Sequence, residues 1–484
     1  MSEKAEKKNG LYYFHVAMVF LLMFGFGQLP PIEPMTEMGM KMVGVFIGLL
    51  YGVIAVDLVW PSLLGLIAVA LNGYMGMGAV LQASFGNAIV QMLFFIMVFC
   101  AALDYHGVAR YIALWFITRK VVIGRPWLFT GMLLMGSAIL SGLTVSVAAC
   151  MVCWGILYGI CDTLGYKKTD PYSVMMILGI AYCTQVGTSM MPFKSVPLAI
   201  FGAWNSMAGV EPNYAVYMLI AILCTTASVL IFLAFAKFVF KPDVSKLATL
   251  KVEDLNVADE LKLNTTQKIL LGSLALVIFM WIFPSFGPKG FFLTTFLAKL
   301  NNPGAIISVV AILALIKIDG KPILNFQMME NKGVMWGLML LLAVIQPLST
   351  AMSDKNLGIT NFLVEILSPI ISGESEVLFI IAMGVAGVVI TQFVTNVAIG
   401  VALMPVVYAY ATSYGFNGEL ASFMVIFAVM LAIMTPSASG NAALCHGNEY
   451  MTDKKTLMMV SAVNVVACLV VFAIIVIGVG GMLL

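Results

Sequence analysis

The chain has 484 residues, 62% of them hydrophobic and only 10% charged, with a net charge of +2 and a mean hydropathy of +1.04. That balance excludes a soluble globular protein, and no nucleic-acid partner is expected. Runs such as Leu11–Leu29, Met38–Val56 and Thr456–Leu484 carry almost no charge, and each can cross a hydrocarbon core of roughly 30 Å as a helix. In lipid the backbone must be satisfied within each segment, and the runs are too long and unbroken for strands of alternating polarity. The expected fold is an all-α polytopic membrane protein of about eleven helices, with shorter re-entrant pieces, at about 20 residues per span.

Residues 1–10 form a polar, lysine-containing tail. The apolar run behind it ends at Gln28-Leu29-Pro30-Pro31 with no small-residue cleavage site, so it reads as a retained first helix. The first membrane half is expected over 11–240, with basic clusters at Arg119/Lys120/Arg125 and Lys167/Lys168. A mixed-charge linker covers 241–268 and the second half 269–484. Basic residues favour the cytoplasmic side, which places the tail and linker inside and the C-terminus outside, with a bacterial inner membrane as the default setting. The eight cysteines lie in or beside apolar segments and read as small hydrophobes. Cys150 and Cys153 have metal-ligand spacing but no second pair.

Interruptions inside the apolar runs carry the functional argument. In the first half, within 127–203, Ser141-Gly142-Leu143-Thr144-Val145-Ser146 is followed by Thr184-Gln185-Val186-Gly187-Thr188-Ser189-Met190-Met191-Pro192. In the second, within 375–450, Thr395-Asn396 is followed by Thr435-Pro436-Ser437-Ala438-Ser439-Gly440-Asn441. The interval from Gly107 to the first interruption nearly matches that from Gly358 to Thr395. Freed backbone groups at membrane depth are tolerated only inside protein or along a cavity, and paired breaks in two halves point to a carrier's substrate site. The competing explanation, close helix packing through small residues, fits one break better than four in matching positions.

Thr395-Asn396-Val397 with its apolar run to Pro405, Thr435-Pro436-Ser437-Ala438-Ser439-Gly440-Asn441-Ala442, and Gly179-Ile180-Ala181-Tyr182 leading into a break resemble the divalent anion:sodium symporters. That family lies within the ion transporter superfamily of dicarboxylate, citrate and sulfate carriers. The resemblance implies an inverted-repeat homodimer with scaffold and transport domains and two re-entrant hairpins, moving a small divalent anion, of C4-dicarboxylate type, by an elevator motion. It places Thr144, Ser146, Thr188, Ser189, Thr395, Asn396, Thr435, Pro436, Ser437 and Asn441 at the substrate, and Asn396, Thr395 and Ser141 at sodium; Lys194, which the family pattern lacks, is expected to join them at the substrate. Coupling by sodium symport or by anion exchange is open, and a sodium/proton antiporter or other inorganic-ion carrier of the superfamily is the alternative.

The first half departs from the family pattern. Where its Ser-Asn-Thr motif falls, near Leu143-Thr144-Val145, there is no asparagine, and Lys194 stands beside a break that is usually neutral. The ammonium is therefore expected to replace a sodium ion in balancing the anion. Asp57, Asp104, His106, Arg110 and His446 read as structural groups near interfaces. No catalytic constellation or phosphate-binding loop is present, so neither an enzyme nor an ATP-driven pump is expected, and a channel would need rings of charge that the sequence lacks.

Overall fold

The computed structural model describes residues 10–119, 121–250, 262–288, 290–369, 371, 375–451 and 454–484. The tail expected over 1–10 and the middle of the linker expected over 241–268 lie largely outside them. Apart from a two-stranded ribbon, β1 (Lys317–Ile318) and β2 (Lys321–Pro322), the described regular structure is helical.

The chain opens with α1 (Gly10–Phe20), which continues through tighter and wider turns to Gln28 and packs against α2 (Glu37–Ala55). The run expected to be a first helix is helical. Thr36 starts α2 by accepting the Gly39 amide at 3.1 Å, and α3 (Trp60–Leu71) begins with Pro61 in its first turn, where a missing N–H is harmless. Next come α4 (Met77–Ser84), α5 (Ala88–Tyr105) and the short α6 (Val108–Ile117). Then α7 (Pro126–Leu143) and α8 (Ser146–Leu164) form a hairpin. A broken helix, α9 (Pro171–Gly187) and α10 (Ser195–Ala208), leads to the long α11 (Tyr214–Phe235).

Beyond the linker a mutual side-chain cap between Asn264 and Gln267 starts α12 (Thr265–Phe286). It is followed by α13 (Phe292–Leu315) and the eight-residue α14 (Phe326–Gly333). The order of the first half then returns. The long α15 (Trp336–Ser353) meets the short α16 (Ile359–Leu367), and α17 (Glu376–Thr391) pairs with α18 (Asn396–Tyr414). The broken α19 (Gly418–Val429) and α20 (Gly440–Gly447) lead to α21 (Lys454–Ile475). The turn from α5 to α6 and that from α15 to α16 each pass through a left-handed glycine, Gly107 at φ +72° and Gly358 at φ +69°. These are the residues whose spacing aligned the halves, and a side chain there would be strained.

Twelve helices among the described residues are long and apolar enough to cross a membrane. Three of them are hairpin arms; with the short α3 and the broken α19–α20 added to the rest, the expected eleven crossings and two hairpins are recovered. Each hairpin packs on the broken helix that follows it, α7 on α9 and α17 on α19, and each broken helix also touches the other half's hairpin, α10 on α18 and α20 on α8. Both hairpin tips therefore reach one place, the arrangement an inverted repeat produces.

The expected linker is partly structured. Ser245–Thr249 forms a short tight helix, Lys246 donates to the Gly165 carbonyl at 2.8 Å and the Tyr166 hydroxyl donates to the Asp243 carbonyl at 3.0 Å. Burial raises the Tyr166 phenol to about 12, so it stays protonated as a donor at neutral pH.

Candidate substrate site

The four breaks converge on a cavity of about 740 Å³. The extended backbone of Thr144 and Val145 ends α7 and opens α8, so the last carbonyls of α7 and the first amides of α8 lack helical partners. Charged side chains serve both ends. The half-buried Lys194 sends its ammonium to the carbonyl of Ser141 at 3.0 Å and to that of Thr144. Asp104, on α5, lies on the cavity wall beside the Val145 amide and within electrostatic reach of Lys194. A cation at a helix C-terminus and an anion at a helix N-terminus each oppose the local dipole favourably, so the tip is held electrostatically as well as by hydrogen bonds.

Hydroxyls complete the first hairpin's seat. Ser141 donates to the Thr184 carbonyl at 2.5 Å and shares a 2.9 Å contact with the Thr188 hydroxyl, while Ser146 donates to the same Thr184 carbonyl at 2.9 Å. Asn441, 1% exposed, ties the second broken helix to this cluster: its Nδ2 donates to Ser146 Oγ at 2.7 Å and Thr184 Oγ1 at 2.9 Å. Both hydroxyls spend their protons on carbonyls, so the amide must face them with its nitrogen. The Asn441 oxygen is left buried without a partner.

We expect Asn441→Ala to lower stability in detergent by about 1–3 kcal/mol, two hydrogen bonds at about 0.5–1.5 kcal/mol each, and to slow transport in the same samples. Thermal melting and initial-rate uptake check it.

The second tip is neutral. Gln392, at the end of α17, donates to the Val388 and Leu431 carbonyls at 2.9 and 3.1 Å and accepts from the Met434 amide at 3.0 Å. Thr395 and Asn396 then open α18 and line the cavity. Asn396 Oδ1 accepts from the Val397 amide at 3.1 Å.

Of the residues expected at the substrate, the structure brings Ser146, Thr188, Lys194, Thr395, Asn396 and Asn441 to the cavity wall. Thr144 contributes through its carbonyl, since its hydroxyl donates to Leu140 at 3.0 Å. Ser141, expected at sodium, has its carbonyl on Lys194 and its hydroxyl on the α9 turn. Besides Thr144, four residues expected at the substrate fall outside the wall. Ser189 is buried with its hydroxyl on the Val186 carbonyl at 2.7 Å. Thr435 donates to the Gln392 carbonyl, which braces the second hairpin, and contacts Ser437 Oγ at 3.0 Å, while Pro436 and Ser437 are exposed.

Among the structural readings, Asp57 caps α3 by accepting the Val59 and Trp60 amides at 2.6 and 3.0 Å. His106 contacts the Ile323 carbonyl at 2.8 Å and accepts Gln267 on its own carbonyl at 3.0 Å. His446 contacts the Met434 carbonyl at 3.1 Å. Asp104 is the exception, for it lines the cavity. Gln185, Ser195 and Ser439 on the wall lay within or beside the breaks. Lys332, on α14, had no local signal.

Comparison with known proteins agrees along nearly the whole chain. A family model described as CitMHS, citrate transporter, matches residues 42–433. An uncharacterized transporter of Haemophilus influenzae is 23% identical over 479 residues, covering 98% of this chain and 97% of its own. One of Methanocaldococcus jannaschii is 21% identical over 339 residues, 69% of this chain and 70% of its own. The crystal structure of the YdaH transporter of Alcanivorax borkumensis, described as having an unusual topology, matches with a TM-score of 0.58 over 96% of this chain and 97% of that one. At 12% identity this is a likeness of fold.

Proposed function

Because the chain belongs to the CitMHS citrate transporter family of membrane transporters, we propose that it carries a small divalent organic anion, a C4-type dicarboxylate or a close relative, by exchange of anions in an elevator-type cycle. The observation that carries this reading is the Lys194 ammonium on the Ser141 and Thr144 carbonyls. Unwound carbonyls at a half-helix end are where a carrier coordinates a cation, and here the Lys194 ammonium occupies that position. Thr395 and Asn396 add neutral donors on the same wall, which can hold a carboxylate without a second fixed charge at membrane depth. The reading includes a homodimer in a bacterial inner membrane with its N-terminus in the cytoplasm.

Proteoliposomes loaded with unlabelled succinate or citrate provide the test. Uptake of the labelled anion is expected to require internal counter-anion and to persist without sodium. Strict sodium dependence, with no stimulation by internal anion, would sink the exchange reading.

Asp104 favours a second reading, in which a proton moves with the anion, because its carboxylate reaches the hairpin tip from a helix outside the hairpin. Uptake driven by an inward proton gradient, without counter-anion, would select it.

A further inference from the structure

Among the described residues the cavity wall carries two cations, Lys194 and Lys332, and one acid, Asp104. Lys194 has its two carbonyls, and Asp104 and Lys194 lie within electrostatic reach of each other. Lys332 is exposed and sits in the last turn of α14, with its ammonium 4.5 Å from the centroid of the Tyr105 ring. The ring face attracts a cation without neutralising it. The position is rigid as well. The next residue, Gly333, lies so close to α5 that an added Cβ would meet Ala101 Cβ at 2.4 Å and the Met97 carbonyl oxygen at 2.8 Å. Helix α14 is seated closely on α5, which holds Lys332 at the cavity wall, and of the hairpins and broken helices α10 also touches α5.

An unneutralised cation at the mouth of a low-dielectric cleft raises the local concentration of anions. We propose that Lys332 is a capture residue: an anion entering from the face where α14 lies meets Lys332 before Lys194, and Lys332 sets the apparent affinity from that face alone. The inference rests on the anion-carrier reading above and adds a sidedness which that reading does not require. Capture is distinct from holding, because Lys332 stays with α5 when the site changes access. It also differs from the ordinary role of a basic residue in a helix's last turn, which would affect stability alone.

The experiment uses the full chain in proteoliposomes with labelled citrate and labelled succinate as probes. Sidedness is read from labelling of Lys332→Cys with a membrane-impermeant thiol reagent, against the unaltered protein. At low ionic strength Lys332→Gln is expected to raise KM from the α14 face about fivefold, the gap closing at high salt where the screening length falls to a few ångströms. Maximal rate, KM from the opposite face and melting temperature should stay as they are. Lys332→Arg should restore KM, and Lys321→Gln, an exposed lysine of β2 outside the cavity wall, should change nothing. An unchanged KM on both faces in Lys332→Gln would overturn the inference while leaving the carrier reading intact. An equal, salt-insensitive rise on both faces would also overturn it. Absence of saturable uptake of either probe by the unaltered protein would overturn both readings together.

Discussion

Lys194→Gln is expected to raise the half-saturating concentration for the transported anion about 100-fold, or to remove counterflow altogether, while the protein still folds. Hydrogen bonds from a charged group contribute about 1.5–3 kcal/mol each. If about 2.7 kcal/mol of this is felt by the bound anion, its affinity falls by two powers of ten. The glutamine amide can still donate to the Ser141 or Thr144 carbonyl, so the hairpin end keeps a partner and the loss falls on binding rather than on folding. Lys194→Arg should not rescue fully, because a planar fork cannot sit between two converging carbonyls as a compact ammonium does. Labelled-anion counterflow, with a melting curve on the same preparation, separates the two effects. Wild-type counterflow in Lys194→Gln would remove the central argument for a built-in cation.

The second large effect is structural. A methyl group placed on Gly187 would meet the carbonyl oxygen of Ala138 at 2.2 Å and its Cα and carbonyl carbon at 2.6 and 2.7 Å. These are backbone atoms of α7, which cannot rotate away as a side chain can, so Gly187→Ala must push the hairpin off the broken helix. Overpacking of this kind costs about 1–3 kcal/mol. The same displacement would strain the Ser141 and Thr188 contacts, which lie within a turn of the clash. The expected result is a lower melting temperature in detergent and markedly less active protein. Gly155→Ala, on α8 with nothing within 4 Å of the added carbon, should be neutral. Equal melting temperatures for the two variants would contradict the packing described here.

Much of this architecture is legible in the sequence because lipid allows so few solutions. The long apolar runs demand helices, and each polar interruption at depth demands burial, so Thr144, Lys194, Asn396 and Asn441 announce themselves. What a hydroxyl does once buried is not announced. Thr435 and Ser437 look like ligands, yet the Thr435 proton is spent on the Gln392 carbonyl, and only the approach of α17 to the break after α19 decides that. Asp104 reads as a structural group near an interface because it sits where one helix gives way to the next; its place on the cavity wall is a product of tertiary packing. Lys332 lay beyond inference for the same reason, being an ordinary basic residue on a short polar helix.

The two broken helices place different residues at one equivalent point. Lys194 precedes α10 and Ser439 precedes α20, each as the residue that opens the second segment. In the proposed cycle the lysine travels with its helix, whereas Asp104 remains on α5. The membrane potential then performs work on the carrier, about 2.3 kcal/mol for one full charge crossing 100 mV. Empty, the moving part is positive; with a dianion aboard it is negative, and the field pushes it the other way. A cycle that carries a dianion in both directions moves no net charge and generates no steady current, while any return without cargo generates one. The single lysine, absent from the matching serine position, would make electrical silence a signature of exchange.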